Sequence, residues 1–243
     1  MVGLLLALLL SGTPDEATSP ASSAAAPIAQ PNASEAAQNA LPPALPEDGW
    51  KQVVDGEVKV FARSKPGERV AEIRAEMVMD ATPAEVRATL NDQERASHAP
   101  YVAEDRILAR PAPNVKICYA RLNFPIVKDR DYFIEVTLEQ DLDAQGHGVY
   151  HSVWKPWGLD RPPRDGVVRV TTNQGYWDVR AEGGDEHRSH VTYYLLSDPG
   201  GSIPAWIINE GNKQVMPKVL KALRDDTVKR RGTGAGSSAA PAK

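Results

Sequence analysis

Residues 188–228 read RSHVTYYLLSDPGGSIPAWIINEGNKQVMPKVLKALRDDTV, and this stretch decides the architecture. Its first part, 188–196, is a β-rich run. Asp198-Pro199-Gly200-Gly201 then stops the strand with turn chemistry. Ser202 is placed to cap a helix, and 203–228 has the period of a long amphipathic one. Ile203, Trp206, Ile207, Val215, Met216, Val219, Leu220 and Leu223 form its apolar stripe. Gly211 and Pro217 interrupt that stripe. Proline has no N–H to offer the carbonyl four residues back, so a kink is expected at Pro217.

Upstream, the chain reads as short strands around one short helix. The β-rich runs 50–54 and 58–62 are separated by Asp55-Gly56, a hairpin signal. A third strand spans 70–80. Thr82-Pro83-Ala84-Glu85 combines a capping-box Thr and Glu with proline at the first helical position. Val86 and Leu90 come next at helical spacing, and the helix ends near Asn91-Asp92. From 101 to 196 the predicted strands are 101–110, 115–123, 130–139, 148–154, 167–172, 176–181 and 188–196. Turn clusters at Pro111-Ala112-Pro113, 143–146, Arg161-Pro162-Pro163 and Glu182-Gly183-Gly184 separate them. Short connections imply antiparallel pairing. In 130–139, Tyr132, Ile134, Val136 and Leu138 share one face; Asp131, Phe133, Glu135, Thr137 and Glu139 make the other, which is expected to be wet. A twisted sheet needs its concave face covered, and only the terminal helix is long enough. The fold class is therefore α+β, a curved antiparallel sheet wrapped around a long C-terminal helix.

The rest of the 243 residues divides by composition. Residues 1–12 are a Leu/Ala-rich leader that suits the apolar region of an export signal, although no Lys or Arg lies near Met1. It is too short to span a bilayer. Residues 13–46 are an Ala/Pro/Ser-rich linker and 231–243 a Gly/Ala/Ser-rich tail. Both are too poor in large apolar side chains to offset ordering entropy, so both are expected to be disordered. The folded domain is then 47–230. With the leader cleaved the protein is periplasmic or secreted; without export it is cytoplasmic. The net charge of −4 is interspersed, which argues against a nucleic-acid partner. Cys118 is the only cysteine, so no intrachain disulfide forms. A monomer is expected.

In order along the chain, several stretches resemble a known family. They are Trp50; Asp55-Gly56; Thr82-Pro83-Ala84-Glu85; Pro125 followed by Lys128-Asp129-Arg130-Asp131-Tyr132; Val168-Arg169; and Gly175-Tyr176-Trp177. Most distinctive is Tyr193-Tyr194 through Asp198-Pro199-Gly200-Gly201-Ser202-Ile203-Pro204-Ala205-Trp206 and Asn209. The series resembles the START (StAR-related lipid transfer) domain of the Bet v 1-like superfamily, and covers essentially all of 47–230. The resemblance implies a helix-grip fold with an internal cavity that shields a lipid, sterol or similar apolar molecule. It also implies that the terminal helix and nearby loops act as a lid.

No catalytic motif accompanies this pattern: there is no G-x-S-x-G and no phosphate loop. His147 and His151 lie four apart, about 13 Å on a strand, too far for one metal ion. His187 and His190 would face opposite sides of a strand. Cys118 reads as an inert buried thiol. No cofactor, metal site or catalytic residue is assigned. The cavity candidates are Tyr119, Arg121, Trp154, Arg169, Trp177, Tyr194, Trp206 and Ile207. Alternation leaves open whether Ile117, Tyr119 and Arg121 or Lys116, Cys118, Ala120 and Leu122 face inward. An inward arginine needs a polar headgroup or a carboxylate, because an unpaired buried charge is too costly. Arg130 and Asp131 cannot both point inward, and both are read as structural, pairing with loop or neighbouring-strand groups. Gly211 and Pro217 are candidates for a gate. The loop 154–159, with Trp157 and Leu159, is a candidate for transient membrane contact. The reading is a carrier of a hydrophobic ligand. Its rivals are a polyketide cyclase or aromatase-like enzyme of the same fold and a ligand-sensing interaction module.

Overall fold

Antiparallel pairing accounts for almost the whole sheet, as the short connections require. The structure, a computed structural model, describes residues 48–92, 101–123, 127–183 and 185–232. The expected leader 1–12, linker 13–46 and nearly all of the tail lie outside the described residues. The described strands are β1 (Lys51–Val54), β2 (Lys59–Arg63), β3 (Glu72–Met79), β4 (Val102–Ala112), β5 (Val115–Leu122), β6 (Arg130–Leu142), β7 (Gly148–Pro156), β8 (Val168–Arg169), β9 (Thr172–Glu182) and β10 (Asp185–Asp198). The helices are α1 (Pro83–Leu90) and α2 (Ala205–Gly232). The sheet order is β1-β2-β3-β10-β9-β7-β6-β5-β4.

β8 departs from the antiparallel expectation. The predicted strand 167–172 shrinks to two residues, and these pair in parallel with the start of β6, Arg130 with Val168 and Asp131 with Arg169. Val168 N–H donates to the Asp129 carbonyl and Val170 N–H to the Asp131 carbonyl, each at 2.8 Å. Thr172 already belongs to β9. β4 likewise continues through Pro111 to Ala112, so the turn falls one residue later than the Pro-Ala-Pro cluster suggests.

The capping box forms as the sequence dictates. Thr82 Oγ1 accepts from Glu85 N–H at 3.3 Å, and Glu85 Oε2 accepts from Thr82 N–H at 2.8 Å, with Pro83 opening the helix. α2 runs for 28 residues, about 42 Å at 1.5 Å per residue. It begins two residues later than predicted because Pro204, rather than Ser202, supplies the first carbonyl, accepting from Ile207 and Ile208 N–H. The helix is continuous through Gly211 and Pro217.

The buried line of α2 is Ile208, Gly211, Asn212, Val215, Met216, Leu220, Leu223 and Thr227. Trp206, expected in that stripe, is 70% exposed. It lies two residues before Ile208, about 200° around the helix. Val215, Met216, Leu220 and Leu223 of this line pack on one face of the sheet, called inner here, against residues that include Ile73, Ala75 and Met77 of β3 and Val191 and Leu195 of β10; Ile208 packs instead with Val70, Tyr194 and Leu196. The far end of α2 is fastened to α1. Thr227 Oγ1 donates to Thr89 Oγ1 at 3.1 Å, Arg231 pairs with Glu85 at 2.7 Å and Arg230 with Asp92 at 2.6 Å.

Candidate ligand-binding site

The inner face carries a cluster of buried aromatic rings, Trp154, Trp177 and Tyr193 among them. Gly175 makes this possible. It stands opposite Trp154 in the β7–β9 register, and a Cβ on it would sit 2.4 Å from the Trp154 ring. With hydrogen there instead, the Trp154 indole lies across the sheet and donates from Nε1 to Asn173 Oδ1 at 3.2 Å. Tyr193 stacks on both indoles, 5.7 Å from Trp154 and 4.1 Å from Trp177 between ring centres. Such offset stacks add about 0.5–1.5 kcal/mol each beyond their buried area. Trp177 Nε1 is buried with no hydrogen-bond partner among the described residues. Burial raises the Tyr132 and Tyr193 hydroxyls far above their ordinary range, so both stay protonated and can only offer neutral hydrogen bonds. Asn212, on the buried line of α2, is 4% exposed.

A separate cleft of about 470 Å³ lies at the α1 end, lined by Asp80, Thr82, Glu85, His187, Arg188 and Arg231. Its charges already satisfy one another through Arg188–Asp80 and Arg231–Glu85. Among the described residues no three His, Cys, Asp or Glu side chains gather as a metal site requires.

The START domain profile matches residues 32–232. The chain belongs to the START domain family. An uncharacterised protein of Pseudomonas aeruginosa is 29% identical over 189 residues, 77% of this chain and 90% of that one. Rattus norvegicus phosphatidylcholine transfer protein is 28% identical over 109 residues, 44% of this chain and 50% of that one. The chain thus spans about half the length of that transfer protein. The crystal structure of human STARD10 superposes with a TM-score of 0.66 at 22% identity, covering 79% of this chain and 78% of that one. A STAR-related lipid transfer protein fragment from Xanthomonas axonopodis gives 0.62 at 27% identity, covering 74% and 99%. The helix-grip α+β fold is therefore that of START domains.

Within this START domain the predicted site residues separate by face. Trp154 and Trp177 lie on the inner face. Tyr119, Arg121, Arg169 and Tyr194 do not. The inward face of β5 is the one with Cys118, Ala120 and Leu122, which join the core packed beneath α2. Burial raises the Cys118 thiol, partly offset by Lys116. Tyr119 and Arg121 lie on the outer face beside Phe133 and Asp131. Burial, reinforced by the Asp131 charge, pushes the Tyr119 hydroxyl up to about 12. Arg121 pairs with Glu104 at 2.9 Å and Asp129 at 2.5 Å. Arg169 pairs with Asp131 at 2.7 Å, and its guanidinium lies 4.7 Å over the Phe133 ring. Asp131, expected on a wet face, is fully buried as a result. Tyr194 donates to Glu72 at 2.7 Å and packs with Val70, Leu196 and Ile208. Ile207 is half-buried and Trp206 exposed, while Gly211 is buried and Pro217 half-buried.

The loop after β7 is partly structural. Trp157 N–H donates to the Phe133 carbonyl at 3.0 Å, and Arg161 covers its ring at 4.9 Å. Leu159 is left 51% exposed. Tyr193 is absent from the sequence candidates, whereas its neighbour Tyr194 is among them. The signal that finds it is register: Tyr193 stands opposite Trp177, so whichever way Trp177 faces, Tyr193 faces too.

Proposed function

We propose that this START domain binds one lipid or similar hydrophobic molecule between the inner face and α2, and carries it without changing it. The observation that carries this reading is the Trp154–Tyr193–Trp177 stack beneath α2, with the Trp177 indole N–H left without a partner among the described residues. An apolar body laid there is stabilised by roughly 25 cal/mol per Å² removed from water. The names of relatives, phosphatidylcholine transfer protein and STAR-related lipid transfer protein, point the same way.

Entry uses the near half of α2 as a gate. The far half is held by buried Thr227–Thr89 and by the Arg230 and Arg231 pairs. The near end is tied by Asn209 Oδ1, which accepts from Ala71 N–H at 2.9 Å, and by Arg69, which pairs with Asp198 and donates to the Ile203 carbonyl at 2.7 Å. Arg69 is exposed, and exposed pairs contribute little. Pro217, which cannot bond the Lys213 carbonyl, lies between the halves and with Gly211 provides the hinge. Opening occurs against a membrane surface through Leu159 and Trp206, with Trp157 bracing the loop. The chain acts as an exported monomer.

Native mass spectrometry of the full chain, with extraction of whatever co-purifies, tests the carrier reading. A stoichiometric adduct recovered chemically unchanged is expected. A chain that stays empty after incubation with mixed lipids overturns it. An adduct returned in altered form moves the assignment to an enzyme of the same fold.

A further inference from the structure

Arg130 is an inner-face charge that the described residues leave without a carboxylate partner. It opens β6 opposite Leu122, on the face that carries Tyr132 and Ile134, and is 3% exposed. One guanidinium nitrogen donates to the Lys128 carbonyl, and Nε is buried with no hydrogen-bond partner among the described residues. The flanking carboxylates alternate to the other face and are already used there. Asp129 is held by Arg121 at 2.5 Å and Asn123 at 2.8 Å, and Asp131 by Arg169. Among the described residues no carboxylate pairs with Arg130. Arg63, buried to a similar degree at 6%, shows the ordinary arrangement: it bonds Glu72 at 2.5 Å. Arginine cannot escape burial by losing its proton, so an uncompensated one calls for an anion.

The position of Arg130 suits a ligand rather than a structural anion. Its Nη2 lies 3.5 Å from where a Cβ on Gly201 would be. Gly200 and Gly201, both at φ +69°, form the turn that leads into α2. Arg130 therefore sits under the connection to the proposed gate. Burial lowers its pKa, with Asp129 the only charge opposing that, in keeping with the missing counter-ion.

We infer that Arg130 receives the anionic group, phosphate or carboxylate, of an amphiphile whose apolar body lies along the Trp154–Tyr193–Trp177 surface. The inference rests on the carrier reading of the same face and names its ligand class. Phosphatidylcholine vesicles carrying a fluorescent phosphatidic acid, long-chain fatty acid or diacylglycerol are mixed with the full chain, and the probe on the re-isolated protein is counted. The two anion-bearing probes are expected to load at least tenfold more than diacylglycerol. Arg130→Gln should remove that preference and leave diacylglycerol loading unchanged, while Arg130→Lys restores part of it.

Equal loading of all three probes by the wild-type chain overturns the inference and leaves the carrier reading standing. No loading of any probe overturns both. Proportional loss of all three probes in an Arg130→Gln protein of wild-type melting temperature overturns the inference by showing a packing role. Should Arg130→Gln not fold, the wild-type preference decides alone. A melting temperature raised by inorganic phosphate in the wild type but not in Arg130→Gln, with no probe loaded, overturns the amphiphile and leaves free phosphate as the occupant of the site.

Discussion

The two faces of this sheet are built from the same strands and obey opposite rules. On the outer face charges are plentiful and answered. Asp131 meets Arg169, Glu104 meets Arg121 and Arg164, and Asp178 meets His151 and Arg180. Aromatic rings on that side are used as platforms for guanidinium groups: Arg106 and Arg164 over Tyr119, Arg161 and Arg169 over Phe133. On the inner face charges are scarce, rings stack on rings, and Arg130 Nε and Trp177 Nε1 are left without partners among the described residues. The face richer in polar residues thus answers its own charges, while the main apolar core packs on the other. The face with few polar groups is the one suited to a ligand, because unmet hydrogen-bonding capacity is what a ligand can satisfy.

If that division holds, damage to the outer face should cost stability before it costs binding. The largest effect is expected at Asp131, fully buried and paired with an Arg169 side chain that is 8% exposed. Asp131→Asn leaves a buried guanidinium uncompensated and should destabilise the fold by about 3–5 kcal/mol. It should also free the β8 segment, since Arg169 donates to the Arg161 carbonyl at 2.8 Å as well. Urea unfolding measures the first effect, and hydrogen exchange across 157–170 the second. Joint replacement, Asp131→Leu with Arg169→Met, should recover most of the loss. If the single variant unfolds like wild type, the outer-face pair does not stabilise the fold.

Asp178 sharpens the same contrast with a smaller, pH-dependent effect. Burial alone would raise its carboxyl, but hydrogen bonds from His151 and Arg180 outweigh burial and hold it at about 2. A carboxylate depressed in the folded state stabilises it above its unfolded value, near pH 3.8, and loses that contribution as pH falls through the folded value. At 1.36 kcal/mol per pH unit this amounts to roughly 2 kcal/mol. Asp178→Asn should therefore cost about that much at pH 6, and the gap from wild type should close as pH drops from 4 towards 2. A gap that is constant across this window would mean the carboxylate charge is not what matters.

Which of these roles could be read from sequence depended on whether the signal was local. The Thr82–Glu85 capping box, the Asp198–Gly201 turn and the amphipathic run after it are local; the box and the turn are found where the sequence puts them, and the helix follows two residues later than expected. The short period-2 runs place the strands but not their orientation. Alternation groups Tyr119 with Arg121 and Cys118 with Ala120, yet only the register across β5 and β6, and then the helix that lies on one side, says which pair faces inward. Arg130 and Asp131 illustrate the limit. Their opposite directions are fixed by adjacency, but Arg169 is 38 residues away from Asp131, and its parallel pairing through β8 has no signature in the run that contains it. Trp206 fails for a simpler reason. Large apolar residues near a helix start suggest the stripe, and only the phase fixed by Ile208, Asn212 and Val215 shows that Trp206 falls outside it.

That exposed tryptophan yields the smallest stability effect and the clearest separation of binding from exchange. Trp206 is 70% exposed in the first turn of α2, and Leu159 is 51% exposed in the loop after β7. Neither is needed by the core, so Trp206→Ala should change stability by no more than about 0.5 kcal/mol. Trp157 is a poorer probe of membrane contact, because its ring lies 6.2 Å from Phe133 and its loss would also disturb the outer face. If an amphipathic side chain at the gate meets the lipid interface during exchange, Trp206→Ala should load the same amount of lipid at equilibrium but take it from vesicles several-fold more slowly. The double change with Leu159→Ser should be slower still. Stopped-flow extraction of a fluorescent lipid reads the rate, and native mass spectrometry reads the end point. Unchanged rates in both variants would remove the membrane-contact role from this end of α2, while leaving the division between the two faces of the sheet untouched.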